Sequence, residues 1–358
     1  MTLKLARPDI LKIEPYKPGT SKVAGKKDII KLSSNENALG TSPKAIAALR
    51  EAEKHISRYP DGGCVALRNK IGEVYGLNPE QIVCGAGSDE IIAFLCHAYA
   101  GEGDEVLYSQ HGFLMYPISA LRVGATPVTA PEKDLCADVD ALLAAVTPRT
   151  RIVFIANPNN PTGSYLPATE IARLRKALRQ DILLVLDAAY CELVDAPDFS
   201  EGNELVKQYP NVVVTRTFSK IYGLASLRLG WSYSSPEIAD VLNRVRGPFN
   251  VTLQAQEAGI AALDDQDFIA KSKAHNTKWR GWLTKELQQT GLTVYPSQGN
   301  FVLVKFPDAA AADANLKENG IIVRRMEAYG LPDCLRITIG TEDENMAVIA
   351  ALKGFLAV

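Results

Sequence analysis

The sequence predicts an α/β protein with a mainly parallel central sheet flanked by helices and a smaller α+β domain attached. Three observations carry this. Short, continuously apolar runs alternate with helical patterns over the first three quarters of the chain, as strands covered on both faces do. From about residue 275 the pattern changes to closely spaced strands with two helices among them. A length of 358 residues exceeds what one small core organises.

The elements follow in order. Residues 1–30 are rich in Pro, Gly and Lys without a period, and read as an N-terminal arm belonging to the small domain. Residues 31–275 form the large domain. A helix starts at Pro43, with Ile46, Leu49 and Ile56 on one face, and stops before Tyr59-Pro60-Asp61-Gly62-Gly63. The apolar runs Ile82-Val83-Cys84, Glu105 to Tyr108, Arg151 to Ile155, Ile182 to Leu186 and Val212-Val213-Val214 are the strands. Helices begin near Ser88, Pro167 and Glu201. Residues 276–358 form the small domain. Its strands are Leu292-Thr293-Val294, Phe301 to Val304, Ile321-Ile322-Val323 and Leu335-Arg336-Ile337, with helices over 310–319 and from about Asp343.

Composition narrows the function classes. A formal net charge of -2 offers no basic excess to neutralise nucleic-acid phosphates or an anionic membrane. The six cysteines form no CxxC pair and the four histidines no HxxxH or HxH pair, so no metal site is expected. The first residues lack the apolar core of a signal peptide, and no stretch is apolar enough to span a membrane. The chain reads as cytoplasmic.

In a parallel sheet, ligands gather beyond the carboxyl ends of the strands. There the sequence places Gly85-Ala86-Gly87-Ser88-Asp89-Glu90, Asn157 to Gly163, Asp187 with Tyr190 three residues on, and Thr215 to Lys220. The glycine turn before a helix suits a phosphate on backbone N–H groups, or is a plain tight turn. The charges of Asp89 and Glu90 oppose an anion unless their side chains point away. Asp187 suits a protonated ring nitrogen, or a helix cap. Lys220 follows an apolar strand, where a desolvated amine becomes a usable nucleophile. Arg228 is a cation in an apolar run and needs an anionic partner or must snorkel. Together these are the parts that pyridoxal 5'-phosphate (PLP) requires: a Schiff-base lysine, a carboxylate for the ring nitrogen, donors for the ring oxygen and a phosphate cup.

On these residues the chain resembles the fold-type I, class-II PLP-dependent aminotransferases, and among them the histidinol-phosphate aminotransferase family. The matching stretches are Leu32 to Asn37, Arg58 to Gly62, Gly85 to Glu90, Asn157 to Gly163, Asp187-Ala188-Ala189-Tyr190, Thr217 to Trp231 and Tyr329 to Gly340, covering nearly the whole chain. The resemblance implies an aspartate-aminotransferase-like fold. It implies that Lys220 carries PLP and shuttles a proton, that Asp187 pairs with the ring nitrogen, and that Asn160 and Tyr190 bond the ring oxygen. Phe113 falls at the ring-stacking position. Ser88, Asp89, Thr217, Ser219 and Arg228 are implied around the phosphate, with Tyr59 reaching it from the second subunit of a homodimer. For substrate, the resemblance implies Arg336 on the carboxylate of glutamate, Arg324 and Tyr16 around the phosphate of the second substrate, a keto-phosphate, and Asn37 as a further substrate-binding residue. Two positions depart from the family pattern. Ala188 stands where Glu is frequent, and Phe113 where many members carry Tyr.

The activity so implied moves an amino group between L-glutamate and imidazole acetol phosphate in histidine biosynthesis. The alternatives on the same fold are an aromatic or prephenate aminotransferase and a PLP-dependent threonine-phosphate decarboxylase. A dinucleotide-binding dehydrogenase is disfavoured because Glu90 stands where the fingerprint needs its third glycine.

Overall fold

A computed structural model describes residues 6–15, 22, 25, 26 and 28–356. Its centre is a seven-stranded sheet in the order Ile82–Gly85, Gly230–Tyr233, Val212–Thr217, Leu183–Asp187, Thr150–Ala156, Glu105–Ser109, Thr126–Ala130. The neighbours from Val212–Thr217 to Thr126–Ala130 pair in parallel. Gly230–Tyr233 runs antiparallel to both its neighbours. The expected apolar runs all lie in this sheet.

Why these runs are apolar throughout follows from the pleat. Successive side chains point to opposite faces, so a sheet covered on both sides needs apolar residues at every position. Leu184 and Leu186 join one buried cluster with the helices Val65–Tyr75, Ala168–Ala177 and Leu253–Leu263. Leu183 and Val185 join another with Ser88–Tyr99, Met115–Arg122 and Pro236–Val245. Fully burying each such side chain contributes roughly 1.5–3 kcal/mol.

A second, four-stranded antiparallel sheet has the order Thr293–Tyr295, Phe301–Lys305, Cys334–Thr338, Arg324–Arg325. Its core includes Leu283 and Leu287 of the helix Gln266–Gln289, Ala312 and Leu316 of Ala309–Glu318, and Val348 and Leu352 of Glu342–Leu356. Residue 275 lies inside the continuous 24-residue helix Gln266–Gln289. Ile30–Lys31 pairs in parallel with Ile321–Ile322, and Leu32 enters the second core. Within the arm, Ile10–Lys12 lies by Met115–Arg122, and Arg7 donates to the Arg122 carbonyl.

The first helix corrects one expectation. Pro43–Ala52 starts where expected, with the Ser42 hydroxyl capping the amides of Lys44 and Ala45. Yet the buried residues are Ala45 and Ala52, while Ile56 is 75% exposed. The helix packs against Leu253–Leu263, and small alanines let two backbones approach. Ile46 and Leu49 are half-buried, so of the three large residues only Ile56, beyond the end of the helix, turns out to solvent. Among the described residues, no helix is long and apolar enough to cross a membrane.

Candidate active site

The strands Ile82–Gly85, Thr150–Ala156, Leu183–Asp187 and Val212–Thr217 all end on one edge of the central sheet, and antiparallel Gly230 starts there, opposite Gly85 and Thr217. A cavity of about 260 Å³ opens at this edge. Ser88, Asp89, Phe113, Asn160, Asp187, Tyr190, Thr217, Ser219, Lys220, Arg228, Arg324 and Arg336 all line it. The second sheet closes it, since Arg324 and Arg336 come from adjacent strands there.

Asp187 is buried at the end of its strand. Its Oδ2 accepts from the Tyr116 hydroxyl at 2.9 Å and its Oδ1 from Thr215 Oγ1 at 3.0 Å. Burial pushes its carboxyl up to about 6, and the two hydroxyls and the nearby Lys220 charge hold it lower than burial alone would. Tyr116 is itself fully buried and stacked on Phe154, which fixes the direction of its hydroxyl. Phe113 stands edge-on to Tyr116, with ring centroids 5.9 Å apart. Asp187 is thus a fixed carboxylate that a cationic ring nitrogen would neutralise.

The opposite end of the cavity is built for an anion. Gly87 takes φ +89° and leads into the helix Ser88–Tyr99, whose first amides have no partner within the helix. Arg228, at φ +50°, sends Nη1 to Ser219 Oγ at 3.2 Å and to the Ala225 carbonyl at 3.1 Å. The φ of Gly87 is one that residues with a side chain rarely adopt, and a Cβ there would also lie 2.4 Å from Arg228 Nη2 and displace the guanidinium. Thr217 Oγ1 accepts from the Ser219 amide at 3.1 Å.

The two acids of the Ser88-Asp89-Glu90 turn behave differently. Glu90 folds back onto the Ala86 amide at 2.6 Å and Asn250 Nδ2 at 2.7 Å, away from the cavity. Asp89 does not point away: its Oδ2 meets Arg228 Nη2 at 3.2 Å at the cavity rim. The guanidinium across the mouth attracts it, and a bound phosphate would compete for that same group.

Between the two ends lies Lys220. Its Nζ donates to the Ser34 carbonyl at 3.4 Å and stands 5.6 Å from the Tyr190 ring centre. The Tyr190 hydroxyl accepts from Asn35 Nδ2 at 3.0 Å. Arg336 is buried; Nη2 donates to the Ser33 carbonyl at 2.9 Å and Nη1 to Asn160 Oδ1. With Oδ1 so engaged, Asn160 keeps its amide Nδ2 as a donor.

Among the expected residues, two do not line this cavity and one is not described. Tyr16 lies outside the described residues. Asn37 is turned to the Ile221 carbonyl at 2.6 Å and Ser272 Oγ at 3.1 Å, so it supports the Lys220 segment from behind and does not face a substrate here. Tyr59 is 83% exposed and stacks on Phe249 with ring centroids 4.6 Å apart. Conversely, Asn35, Tyr116, Thr215 and Tyr329 belong to the site or its supports and were not singled out in the sequence. Asn35 and Thr215 sit inside matching or strand-end stretches. Tyr116 carries only the signal of falling three residues after Phe113.

The donor set fits PLP from end to end: a buried carboxylate for a ring nitrogen, an amine for the aldehyde, and a cationic, hydroxyl-lined helix start for a phosphate.

A family model for aminotransferase class I and II matches residues 27–352. The histidinol-phosphate aminotransferase of Paramagnetospirillum magneticum is 60% identical over 361 aligned positions, covering 99% of each chain. The crystal structure of histidinol-phosphate aminotransferase from Sinorhizobium meliloti in complex with pyridoxal-5'-phosphate superposes with a TM-score of 0.90 at 30% identity, covering 99% of this chain and 98% of that one. A double mutant of Thermus thermophilus aspartate aminotransferase, 24% identical, shares the fold with a TM-score of 0.81 over 92% of this chain and 91% of its own.

Proposed function

The chain belongs to the class I and II aminotransferases, in the histidinol-phosphate aminotransferase family, and from that premise we propose that it exchanges an amino group between L-glutamate and imidazole acetol phosphate, forming L-histidinol phosphate and 2-oxoglutarate. It is a PLP-dependent transferase. The observation that carries the substrate assignment is the pair Arg324 and Arg336. They stand directly opposite each other on neighbouring strands and both line the cavity. Like charges in that register repel, and a planar guanidinium binds carboxylate or phosphate through two bonds at once. Two such groups at one mouth suit substrates that each carry an anion: the carboxylate of glutamate on Arg336 and the phosphate of the keto-substrate on Arg324.

The roles of this chain's residues follow. Lys220 Nζ would hold the cofactor and is the amine placed to take and return the proton at the substrate carbon. The bound cofactor supplies a ring that takes up the electron pair left when that proton departs. Asp187, held by Tyr116 and Thr215, keeps a proton on the ring nitrogen. Asn160 Nδ2 and the Tyr190 hydroxyl donate to the ring oxygen, and Phe113 covers one ring face. Arg228, Ser219, Thr217 and the first amides of Ser88–Tyr99 bind the phosphate and fix the ring against it.

We further infer a homodimer. Ile56, Tyr59 and Phe249 are exposed apolar residues lining one surface hollow, and Tyr59 does not line the cavity of its own chain. A second copy would cover them and receive Tyr59 at its phosphate cup. The compartment assigned is the cytoplasm, where thiols such as those of Cys84 and Cys96 stay reduced.

The test is turnover of histidinol phosphate with 2-oxoglutarate against turnover of phenylalanine with 2-oxoglutarate. The expected result is a clear preference for the phosphate ester, lost on Arg324→Ala. Faster turnover of the aromatic amino acid would favour an aromatic aminotransferase instead.

A further inference from the structure

The segment Ser33-Ser34-Asn35 touches three of the site's groups in succession. The Ser33 carbonyl accepts from Arg336 Nη2 at 2.9 Å, the Ser34 carbonyl accepts from Lys220 Nζ at 3.4 Å, and Asn35 Nδ2 donates to the Tyr190 hydroxyl at 3.0 Å. Asn35 is 1% exposed and holds φ +56°, a conformation that asparagine tolerates better than most residues. Its carbonyl is fixed by Asn300 Nδ2 at 2.9 Å.

The hydrogen bonds around Asn35 have a direction. Its backbone N–H donates to Thr338 Oγ1 at 3.0 Å, so the Thr338 hydroxyl has its own proton free to give, and it donates to Asn35 Oδ1 at 3.1 Å. In this arrangement Oδ1 is the end of the amide that accepts. Nδ2 is then left to donate to the Tyr190 oxygen. An amide nitrogen has no lone pair to offer in return, so the phenol proton cannot point back at Asn35. It is directed elsewhere, and Tyr190 lines the cavity. Thr338 stands two residues after Arg336 on the same strand, hence on the same face.

We propose that Asn35 is a positioning residue: it aims the Tyr190 phenol proton into the cavity and ties that direction to the strand that carries Arg336. This rests on the reading above that Tyr190 donates to the ring oxygen of the cofactor. Asn35→Asp keeps the shape but turns a donor into an acceptor. The phenol then donates to the new carboxylate, and the cavity loses that proton as surely as in Tyr190→Phe.

The readout is the pH midpoint of the visible absorbance band of the cofactor-loaded protein, which responds to donors on the ring oxygen and not to general loosening of the fold. It is measured in wild type, Tyr190→Phe, Asn35→Asp and the double variant, with thermal unfolding of each to show that it is folded. The expected result is that Asn35→Asp moves the midpoint in the same direction as Tyr190→Phe and that the double variant moves no further. A midpoint that stays at the wild-type value in Asn35→Asp while Tyr190→Phe shifts it overturns the proposal and leaves the Tyr190 role standing. So does a double variant in which the two shifts add. A Tyr190→Phe protein with an unmoved midpoint overturns the Tyr190 reading and the proposal with it. If Asn35→Asp fails to fold, Asn35→Gly, which accommodates the positive φ while removing the amide, gives the same reading in reduced size.

Discussion

Asp187 concentrates the residue-scale physics of the site. Its carboxyl is raised to about 6 by burial, against about 3.9 in an unfolded chain. Between roughly pH 4 and 6 the folded chain holds a proton that the unfolded chain has lost, so the stability of the cofactor-free protein falls as pH rises through that window. Two pH units at about 1.4 kcal/mol each make this a penalty of about 3 kcal/mol above pH 6. Asp187→Asn carries no charge. Relative to wild type, the cofactor-free variant is expected to melt higher at pH 8 and to show no such gain at pH 4. The same variant is expected to lose about 10²–10⁴-fold in turnover, because an amide cannot keep the ring nitrogen protonated. Thermal unfolding at the two pH values checks the first part; a variant equally destabilised at both would contradict it. Alone in the sequence this residue reads equally as a helix cap; it was legible because the neighbouring strand ends carry a lysine, an amide and a glycine turn beside it. Tyr116 and Thr215, which hold it, were not. Their contacts depend on how a helix lies across a strand, which no local spacing records.

At the scale of elements, the apolar runs of the parallel strands were readable because burial on both faces leaves no room for polar alternation. The edge strand Thr126–Ala130 was not, since it is only partly buried and contains Pro127. Nor could the sequence show that Gly230–Tyr233 runs antiparallel between two strands that are far apart in the chain. That insertion matters for function. Gly230 lets the strand pass under the start of Ser88–Tyr99: a Cβ there would lie 2.4 Å from the Ser88 amide nitrogen, 2.6 Å from the Gly87 carbonyl carbon and 2.9 Å from the Arg216 carbonyl oxygen. All three are backbone atoms and cannot swing aside. Gly230→Ala is therefore expected to cost about 1–3 kcal/mol and to weaken cofactor binding, because the helix start and Arg228 are pushed apart. Equilibrium denaturation and a cofactor titration measure the two effects. Unchanged cofactor affinity would mean that the helix start does not form the phosphate cup.

For the whole molecule, the inferred dimer makes a prediction that neither subunit can satisfy alone. Tyr59→Ala damages the partner's site, while Lys220→Ala abolishes the site of its own chain. In a mixed dimer the two defects fall in one site and the other site is intact. Co-refolding equal amounts of the two variants is expected to restore up to about a quarter of wild-type activity, since about half of the dimers are mixed and each carries one good site. Activity that stays at the sum of the separate variants would place Tyr59 in its own subunit's chemistry or in none. The proposed activity requires Lys220 to hold PLP beside Asp187, in a site that accepts an amino group from glutamate. The measurement that tests this most directly is the absorbance spectrum of the PLP-loaded protein before and after L-glutamate, and again after imidazole acetol phosphate. The predicted result is a visible band that disappears with glutamate, returns with the keto-phosphate, and is absent in its lysine-linked form from Lys220→Ala. A wild-type protein that shows no such band after PLP is supplied, or whose band ignores glutamate, would contradict it.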